Sequence, residues 1–258
     1  MFFSTEITSR KHASDLPMLL RTSKAYEKIE HQISGRVLEI GCGEGYGLDK
    51  IYRNADQLFL YDKSKYSQRI CKRKFPNAIF INKNIDDIYS MDLGKMDHIL
   101  CFQFIEHIQY QKKLIDHLVK MLKPGGKLYI STPNKCQTLI RNPWHLKELD
   151  EREFKNLVTY KYYKTSIEGL FASDNLLPYY ASNRSNVSFL NKSLNGFLNR
   201  LPGAILKIPY EVGNRINRNR LLRLHSQTIN NLSKSDYYFS ATNHDALDLF
   251  ATIYNPED

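Results

Sequence analysis

The 258-residue sequence predicts an α/β domain built on a mostly parallel sheet, with an α-helical insertion before its last strand. Three observations carry that expectation. Short apolar, β-branched runs alternate with helical periodicity through the first half of the chain, the pattern of a parallel sheet with helices on both faces. A glycine-rich turn, Gly41 to Gly47, joins the first strand to the helix after it. Between 174 and 235 the strand signal vanishes, and the chain becomes rich in Asn, Arg and Leu.

An opening helix is set by Leu16, Leu19, Leu20, Tyr26, Ile29 and Ile33, spaced three or four apart, with Ser14 as its expected N-cap. It ends before Ser34-Gly35. Val37 to Ile40 is the first strand, and a helix from Gly47 to Arg53 follows the glycine turn. The unit repeats as strand Leu58–Tyr61, helix Ser64–Phe75 with a Pro76-Asn77 stop, strand Ala78–Ile81 and strand His98–Phe102. The next helix carries Ile108, Ile115, Leu118, Val119 and Leu122 on one side; Lys123-Pro124-Gly125-Gly126 breaks it, and Lys127–Ser131 is the fifth strand. Asp150 with Glu153 forms a capping-box pattern for a helix to about Tyr160, and a strand near Tyr163–Phe171 follows. In the insertion, Pro178, Pro202 and Pro209 punctuate a helical stripe of Val187, Leu190, Leu194, Phe197 and Leu201. Strands Tyr237–Ser240 and Leu247–Tyr254 close the sheet. The expected organisation is an N-terminal helical segment at 1–35, an α/β core at 36–173, a basic helical insertion or lid at 174–235 and the closing strands at 236–258.

With 42% hydrophobic residues, the chain can bury one full core. No apolar run approaches the roughly 18 residues of a membrane span, and Met1 to Arg10 lacks the apolar centre of a signal peptide, so a cytoplasmic protein is expected. Cys42, Cys71, Cys101 and Cys136 are scattered without zinc-site spacing and read as reduced thiols. The net charge is +10, and its placement is informative: from Leu176 to Ser235 nine Lys or Arg face one acid, Glu211, so that stretch alone carries +8. An acidic partner is expected there, with Arg215, Arg218, Arg220 and Arg223 as its contacts. A solvated lid face, an anionic membrane surface under the amphipathic stripe and nucleic acid are the other readings, the last without an aromatic-interleaved RNA-binding motif.

Glu39-Ile40-Gly41-Cys42-Gly43-Glu44-Gly45 stands directly after the first strand, where glycines let backbone pass close to a ligand. A dinucleotide fingerprint needs a third glycine at the sixth position, which here is Tyr46, so a nucleoside without phosphates fits better. Asp62, at the end of the second strand, is placed to take both ribose hydroxyls. With Ile105-Glu106-His107 after the fourth strand and the Lys-Pro-Gly-Gly turn, these elements, in order over Arg36 to Phe154, resemble the class I S-adenosylmethionine (SAM)-dependent methyltransferases, in their broad small-molecule and glycan group.

The resemblance implies a Rossmann-like, seven-stranded sheet of order 3-2-1-4-5-7-6 with SAM as cofactor over the carboxyl ends of the strands. Glu39 and the backbone of Gly41, Cys42, Gly43 and Gly45 would hold the methionine moiety, Asp62 the ribose, and Asn84-Ile85 would flank the adenine; Lys63 would also contact the cofactor, and Gln103 would lie beside the sulfonium. Asn84 replaces the Asp common at its place, though an amide oxygen still accepts. His107 is a supporting residue or a catalyst. Thr132-Pro133-Asn134 and Asn142-Pro143-Trp144-His145 resemble a subgroup of these enzymes and bring His145 to the acceptor rim, as a general base or as a staple of its loop. The set Glu106, His107 and His145 also resembles the metal site of small-RNA 2′-O-methyltransferases, but Gln103 stands where that family has Glu, so no metal is expected. The expected reaction is O-methylation of a hydroxylated, anionic acceptor such as a nucleotide- or lipid-linked sugar or glycan. Metal-assisted RNA 2′-O-methylation and a non-catalytic SAM-binding protein are the alternatives.

Overall fold

The computed structural model describes residues 12–161, 164–193 and 203–255. Among these, eight strands run β1 Arg36–Ile40, β2 Gln57–Tyr61, β3 Ile79–Ile81, β4 Met96–Phe102, β5 Leu122–Pro133, β6 Lys164–Ala172, β7 Tyr237–Ser240 and β8 Asp248–Tyr254. The helices are α1 Leu16–Ile29, α2 Leu48–Tyr52, α3 Lys65–Lys74, α4 Gln111–Lys120, α5 Glu151–Thr159, α6 Leu177–Ser193, α7 Gly203–Leu224 and α8 Ser226–Asn230. They build one sheet of order β3-β2-β1-β4-β5-β8-β6-β7. Its first four pairings are parallel and its last three antiparallel.

The family resemblance implies seven strands, and the sheet has eight. The additional strand, β7, is the Tyr237–Ser240 strand that the residue pattern expects; it is short and lies at the edge, where Gly169 to Ala172 of β6 pair with Ser240 to Tyr237 as the chain returns from the insertion. Without it the order is the expected 3-2-1-4-5-7-6. The Lys123–Gly126 segment is a bulge inside β5 rather than a break before it: Met96 pairs with Leu122, but His98 pairs with Lys127. Gly125 takes φ +74° in that bulge.

β1, β2 and β4 are buried almost throughout, as expected of parallel strands covered on both faces. One apolar cluster, including Leu38, Ile99, Leu128 and Phe154, lies under α4 and α5; a second, including Ile29, Val37, Leu48 and Leu100, lies under α1, α2 and α3. A third joins the insertion to the sheet edge through Leu170, Leu176, Tyr179, Leu221 and Tyr237. Within the insertion's expected stripe, Leu194, Phe197 and Leu201 lie outside the described residues, as does Tyr163 at the start of β6.

The start of α1 departs from expectation. Ser14 is buried and caps nothing; Asp15 occupies the N-cap position without a capping bond. Its fully buried carboxylate instead receives Arg215 Nη1 at 2.8 Å and Arg218 Nη1 at 3.1 Å. Two charge-assisted bonds from α7 outcompete a backbone cap, and they tie the insertion to the N-terminal helix.

Candidate active site

A cavity of about 960 Å³ lies over the carboxyl ends of β1, β2, β4 and β5, roofed by α1, α6 and α7. α1 is seated by Arg21, whose guanidinium donates to both carboxylate oxygens of Asp248 on β8 at 2.6 and 2.8 Å.

At one end, the turn after β1 holds Gly41, Gly43, Gly45 and Gly47 at φ between +50° and +96°. A Cβ on Gly41 would stand 2.3 Å from the Phe104 ring, whereas one on Gly43 would meet no protein atom within 4 Å. Gly43 is on the cavity wall, so its backbone is bare toward a ligand. Asp62 shapes this turn, with Oδ2 accepting from Gly43 N at 2.9 Å and Oδ1 from Ser64 N at 2.8 Å. Two bonds leave lone pairs on a carboxylate for further donors.

Gly41, Cys42, Gly43, Asp62 and Lys63 line the cavity, as do Asn84, Ile85 and Gln103. Glu39 and Gly45 do not. Gly45 turns inward, where a Cβ would sit 2.7 Å from Phe75. Glu39 is buried behind the turn, its Oε1 accepting from the Tyr26 hydroxyl. Its Oε2 is also buried and has no hydrogen-bond partner, an uncommon state for a carboxylate oxygen. Burial pushes the Glu39 carboxyl up to about 8; the Tyr26 bond offsets part of this, and the charge of Asp62 adds to it. The bare Gly43 backbone and the orphaned Glu39 oxygen fit a cationic nucleoside ligand. Cys42 is no nucleophile, because the adjacent Cys71 thiol and burial push its thiol well above the ordinary range.

Gln103, just past β4, takes φ +49°, the one positive φ outside glycine among the described residues. Its N–H donates to Ser131 O at 2.8 Å, which holds the strained backbone in place. Strain of this kind concentrates at ligand-contacting positions.

At the other end, residues 142–148 are latched onto the 105–107 turn. Leu146 N and Lys147 N donate to Glu106 O at 2.9 and 3.1 Å, and Gln111 Nε2 donates to Lys147 O at 2.9 Å. Glu106 is buried and accepts from the Thr132 hydroxyl at 3.0 Å. His107 Nδ1 lies 2.9 Å from Trp144 O; a carbonyl only accepts, so Nδ1 carries a proton, and in the neutral form of the ring the lone pair is on Nε2. Both ring nitrogens of His145 are engaged within its own loop, Nδ1 by Glu148 Oε1 at 2.5 Å and Nε2 by the Asn142 amide at 2.9 Å. Asn142 Oδ1 accepts from Trp144 N, which fixes that amide with its NH₂ toward His145. The two imidazoles meet edge to face, 4.9 Å between centroids. Ligand atoms of Glu106, His107 and His145 lie within 4.8 Å of one another, close enough for a metal ion, which would have to displace Asn142 or Glu148 from His145.

Several wall residues carry no motif and were not expected. Tyr26 and Thr22 come from α1, Tyr46 from the glycine turn and Asp86 from beyond β3; Tyr179, Asn183, Tyr210, Asn214 and Asn217 come from the insertion. Trp144 reaches the insertion directly, its indole N–H donating to Glu211 Oε1 at 3.0 Å with the Lys207 ammonium 3.9 Å above its ring. The four arginines expected to act together divide into two pairs. Arg215 and Arg218 turn inward to Asp15, and Arg220 and Arg223 are exposed.

The methyltransferase domain family matches residues 11–175, well over half of the chain. The chain belongs to that family. It is a class I, Rossmann-like SAM-dependent methyltransferase domain, with S-adenosylmethionine as its cofactor. A "Probable S-adenosylmethionine-dependent methyltransferase" of Mycolicibacterium smegmatis is 31% identical over 144 residues, 54% of this chain and 56% of the relative. A ubiquinone biosynthesis O-methyltransferase of Xanthomonas oryzae pv. oryzae is 26% identical over 104 residues, covering 39% of this chain and 44% of its own. The chain thus spans about half the length of the curated relatives it matches. The N-methyltransferase NodS of Bradyrhizobium japonicum, in complex with S-adenosyl-L-homocysteine, shares the fold at a TM-score of 0.51 and 16% identity, over 94% of this chain and 86% of that one. The [4+2]-cyclase SpnF shares it at 0.53 and 16% identity, over 93% and 82%. A cyclase and an N-methyltransferase share the fold, which leaves the acceptor to the site itself. Among the described residues no helix is long and apolar enough to cross a membrane.

Proposed function

We propose that this domain methylates a hydroxyl of a sugar, glycan or other polyhydroxylated anionic acceptor held between the 142–148 loop and the insertion. The observation that supports this reading is the chemistry of the insertion's side of the cavity. Asn183, Asn214 and Asn217 stand there with Tyr179 and Tyr210, and Arg218, which shares the single carboxylate of Asp15 with Arg215, leaves one net positive charge at this end. Amides both donate and accept, as do phenols, which suits a ligand carrying several hydroxyls.

The cofactor end is assigned to SAM as expected: the Gly41–Gly43 backbone and Asp62 with Lys63 against its polar groups, Asn84 and Ile85 at adenine, Gln103 toward the reacting centre, and Glu39 as the buried counter-charge behind the turn. When bound, the cofactor supplies an electrophilic methyl on a sulfonium. The chain's task is then to align the acceptor and remove its proton. We assign proton removal to His107, whose Nδ1–H bond to Trp144 O puts the lone pair on Nε2. His145, fastened by Glu148 and Asn142, positions His107 through their edge contact. The closeness of Glu106, His107 and His145 favours a second reading, metal-assisted transfer to an RNA 2′-hydroxyl.

Incubation with methyl-labelled SAM and fractionated cell extract, with and without prior dialysis against a chelator, separates these. Label entering glycan or nucleotide-sugar fractions, unaffected by the chelator, is the expected result. Label in RNA that chelation abolishes would establish the second reading, and cofactor binding with label in no fraction would leave a SAM-binding protein without turnover.

A further inference from the structure

α7 has two unlike faces, and neither is that of an ordinary surface helix. Its inner face packs Leu206 and Leu221, both buried, and lines the cavity with Asn214, Asn217 and Arg218. Its outer face carries Ile205, Ile208, Val212, Ile216 and Leu224, each between 52% and 64% exposed. Residues at these spacings share one side of a helix. Lys and Glu are the usual occupants of such a side; here the only charges on it are Arg220 and Arg223, both exposed, in its last turns. An exposed apolar stripe of this extent marks a face that is covered in use.

We propose that the outer face of α7 docks on an anionic lipid bilayer. Charge decides the occupant. The charges on the outer face are Arg220 and Arg223, both exposed, and the single acid of α7, Glu211, faces inward on the Trp144 indole, so no carboxylate of this helix opposes an anionic surface. Shape agrees. The stripe from 205 to 224 is one helix wide and about 28 Å long at the helical rise, which suits a helix lying in the headgroup layer with its apolar side immersed. Isoleucine side chains would enter the acyl boundary while the arginines meet headgroup phosphates, each arginine strengthening attachment about fivefold. The docking does not depend on which acceptor is methylated.

The test is co-sedimentation of the whole chain with vesicles of equal parts phosphatidylglycerol and phosphatidylcholine, compared with phosphatidylcholine alone, near physiological salt. Binding to the first and at least about tenfold weaker binding to the second are expected. I208N/I216N alters only exposed positions, so its melting temperature should match that of wild type while vesicle binding falls about tenfold or more. R220Q/R223Q should weaken binding and flatten its salt dependence. Wild type that ignores both vesicles, or an I208N/I216N variant that binds like wild type, overturns the proposal. A wild-type dimer in sedimentation velocity that I208N/I216N converts to monomer assigns the face to a second copy instead. A lowered melting temperature in that variant assigns it to the chain's own packing. Because no step reads methyl transfer, failure here leaves the acceptor assignment standing, and failure there leaves this one.

Discussion

At the cofactor end the polar contacts join neighbours in the sheet: Gly41 N reaches Tyr61 O, and Asp62 holds Gly43 and Ser64. At the acceptor end they reach across the chain, 67 residues from Trp144 to Glu211 and 203 from Arg218 to Asp15. The first end is a cradle built mainly by one short turn, with Tyr26 of α1 behind it. The second exists only when α1, the 142–148 loop and α7 are all docked. Loss of one contact at the first end should therefore be local, and loss of one at the second should be shared by the whole roof.

The sharpest way to break that contrast is Asp15→Ala. It leaves Arg215 and Arg218 without their buried counter-charge, a change that costs about 3–5 kcal/mol where a buried pair loses one partner. Chemical denaturation should show that loss, limited proteolysis should cut first within the insertion, and SAM affinity in calorimetry at low temperature should stay within about threefold. Equal losses of SAM binding and lid protection would mean the two ends fold as one unit.

The same contrast explains what the sequence discloses. The cofactor end is legible because Glu39 to Gly47 is a local pattern: positive φ at four glycines and a carboxylate at the end of the next strand are requirements of one turn. The sheet is legible for a similar reason, since Val37–Ile40 and Leu58–Tyr61 are apolar runs that suit only buried parallel strands. Asp15 carries no local signal, and its partners stand 200 and 203 residues away. Glu39 reads as a ligand contact, yet it acts from behind the turn, because Tyr26, thirteen residues earlier, captures one of its oxygens. The arginines read as one basic cluster, since charge counts carry no direction, and helix periodicity separates Arg215 and Arg218 from Arg220 and Arg223 only once the inner face of α7 is known.

Within the acceptor end, His107 and His145 are separable by kinetics. His107→Ala should lower kcat by about 10² or more and abolish the acidic limb of the pH–rate profile, the scale of a lost general base. His145→Gln keeps a polar side chain between Glu148 and Asn142, and should raise the acceptor KM with a smaller loss in kcat and an unchanged limb. Steady-state rates across pH that show the reverse ranking would return the base to His145.

Asp62→Ala probes the cradle. Removing an acceptor from Gly43 and from the ligand should weaken SAM binding by about 2 kcal/mol, and calorimetry showing unchanged affinity would sink its role. Glu39 refines this through pH. Its folded pKa of about 8 exceeds the unfolded value, so the free protein keeps the carboxyl neutral at pH 7 and loses stability as pH rises from about 4.5 toward 8. A cationic ligand favours the ionised form, so affinity should increase by up to about tenfold per pH unit on approaching 8 from below. The ammonium of SAM also titrates in this range, which makes Glu39→Gln the control: its affinity should lack the rise.

The smallest expected effect sits where the two ends meet. Gln103 keeps φ +49° without being glycine, at a cost on the order of 1 kcal/mol that the fold sustains through the bond to Ser131 O. Gln103→Gly removes the strain and leaves the backbone bond available, so it should raise stability by up to about 1 kcal/mol in chemical denaturation despite the added entropy of the unfolded chain. If the side chain contacts the reacting centre, the same variant should lose turnover while gaining stability, a pairing that ordinary packing residues do not show. Gln103→Ala is the comparison, since it deletes the amide but keeps the strain: it should lose turnover equally and gain no stability. A glycine variant that is stabler and fully active would show that neither the amide nor the strained backbone is needed for transfer, and would move the boundary between cofactor and acceptor ends toward Phe104 and Glu106.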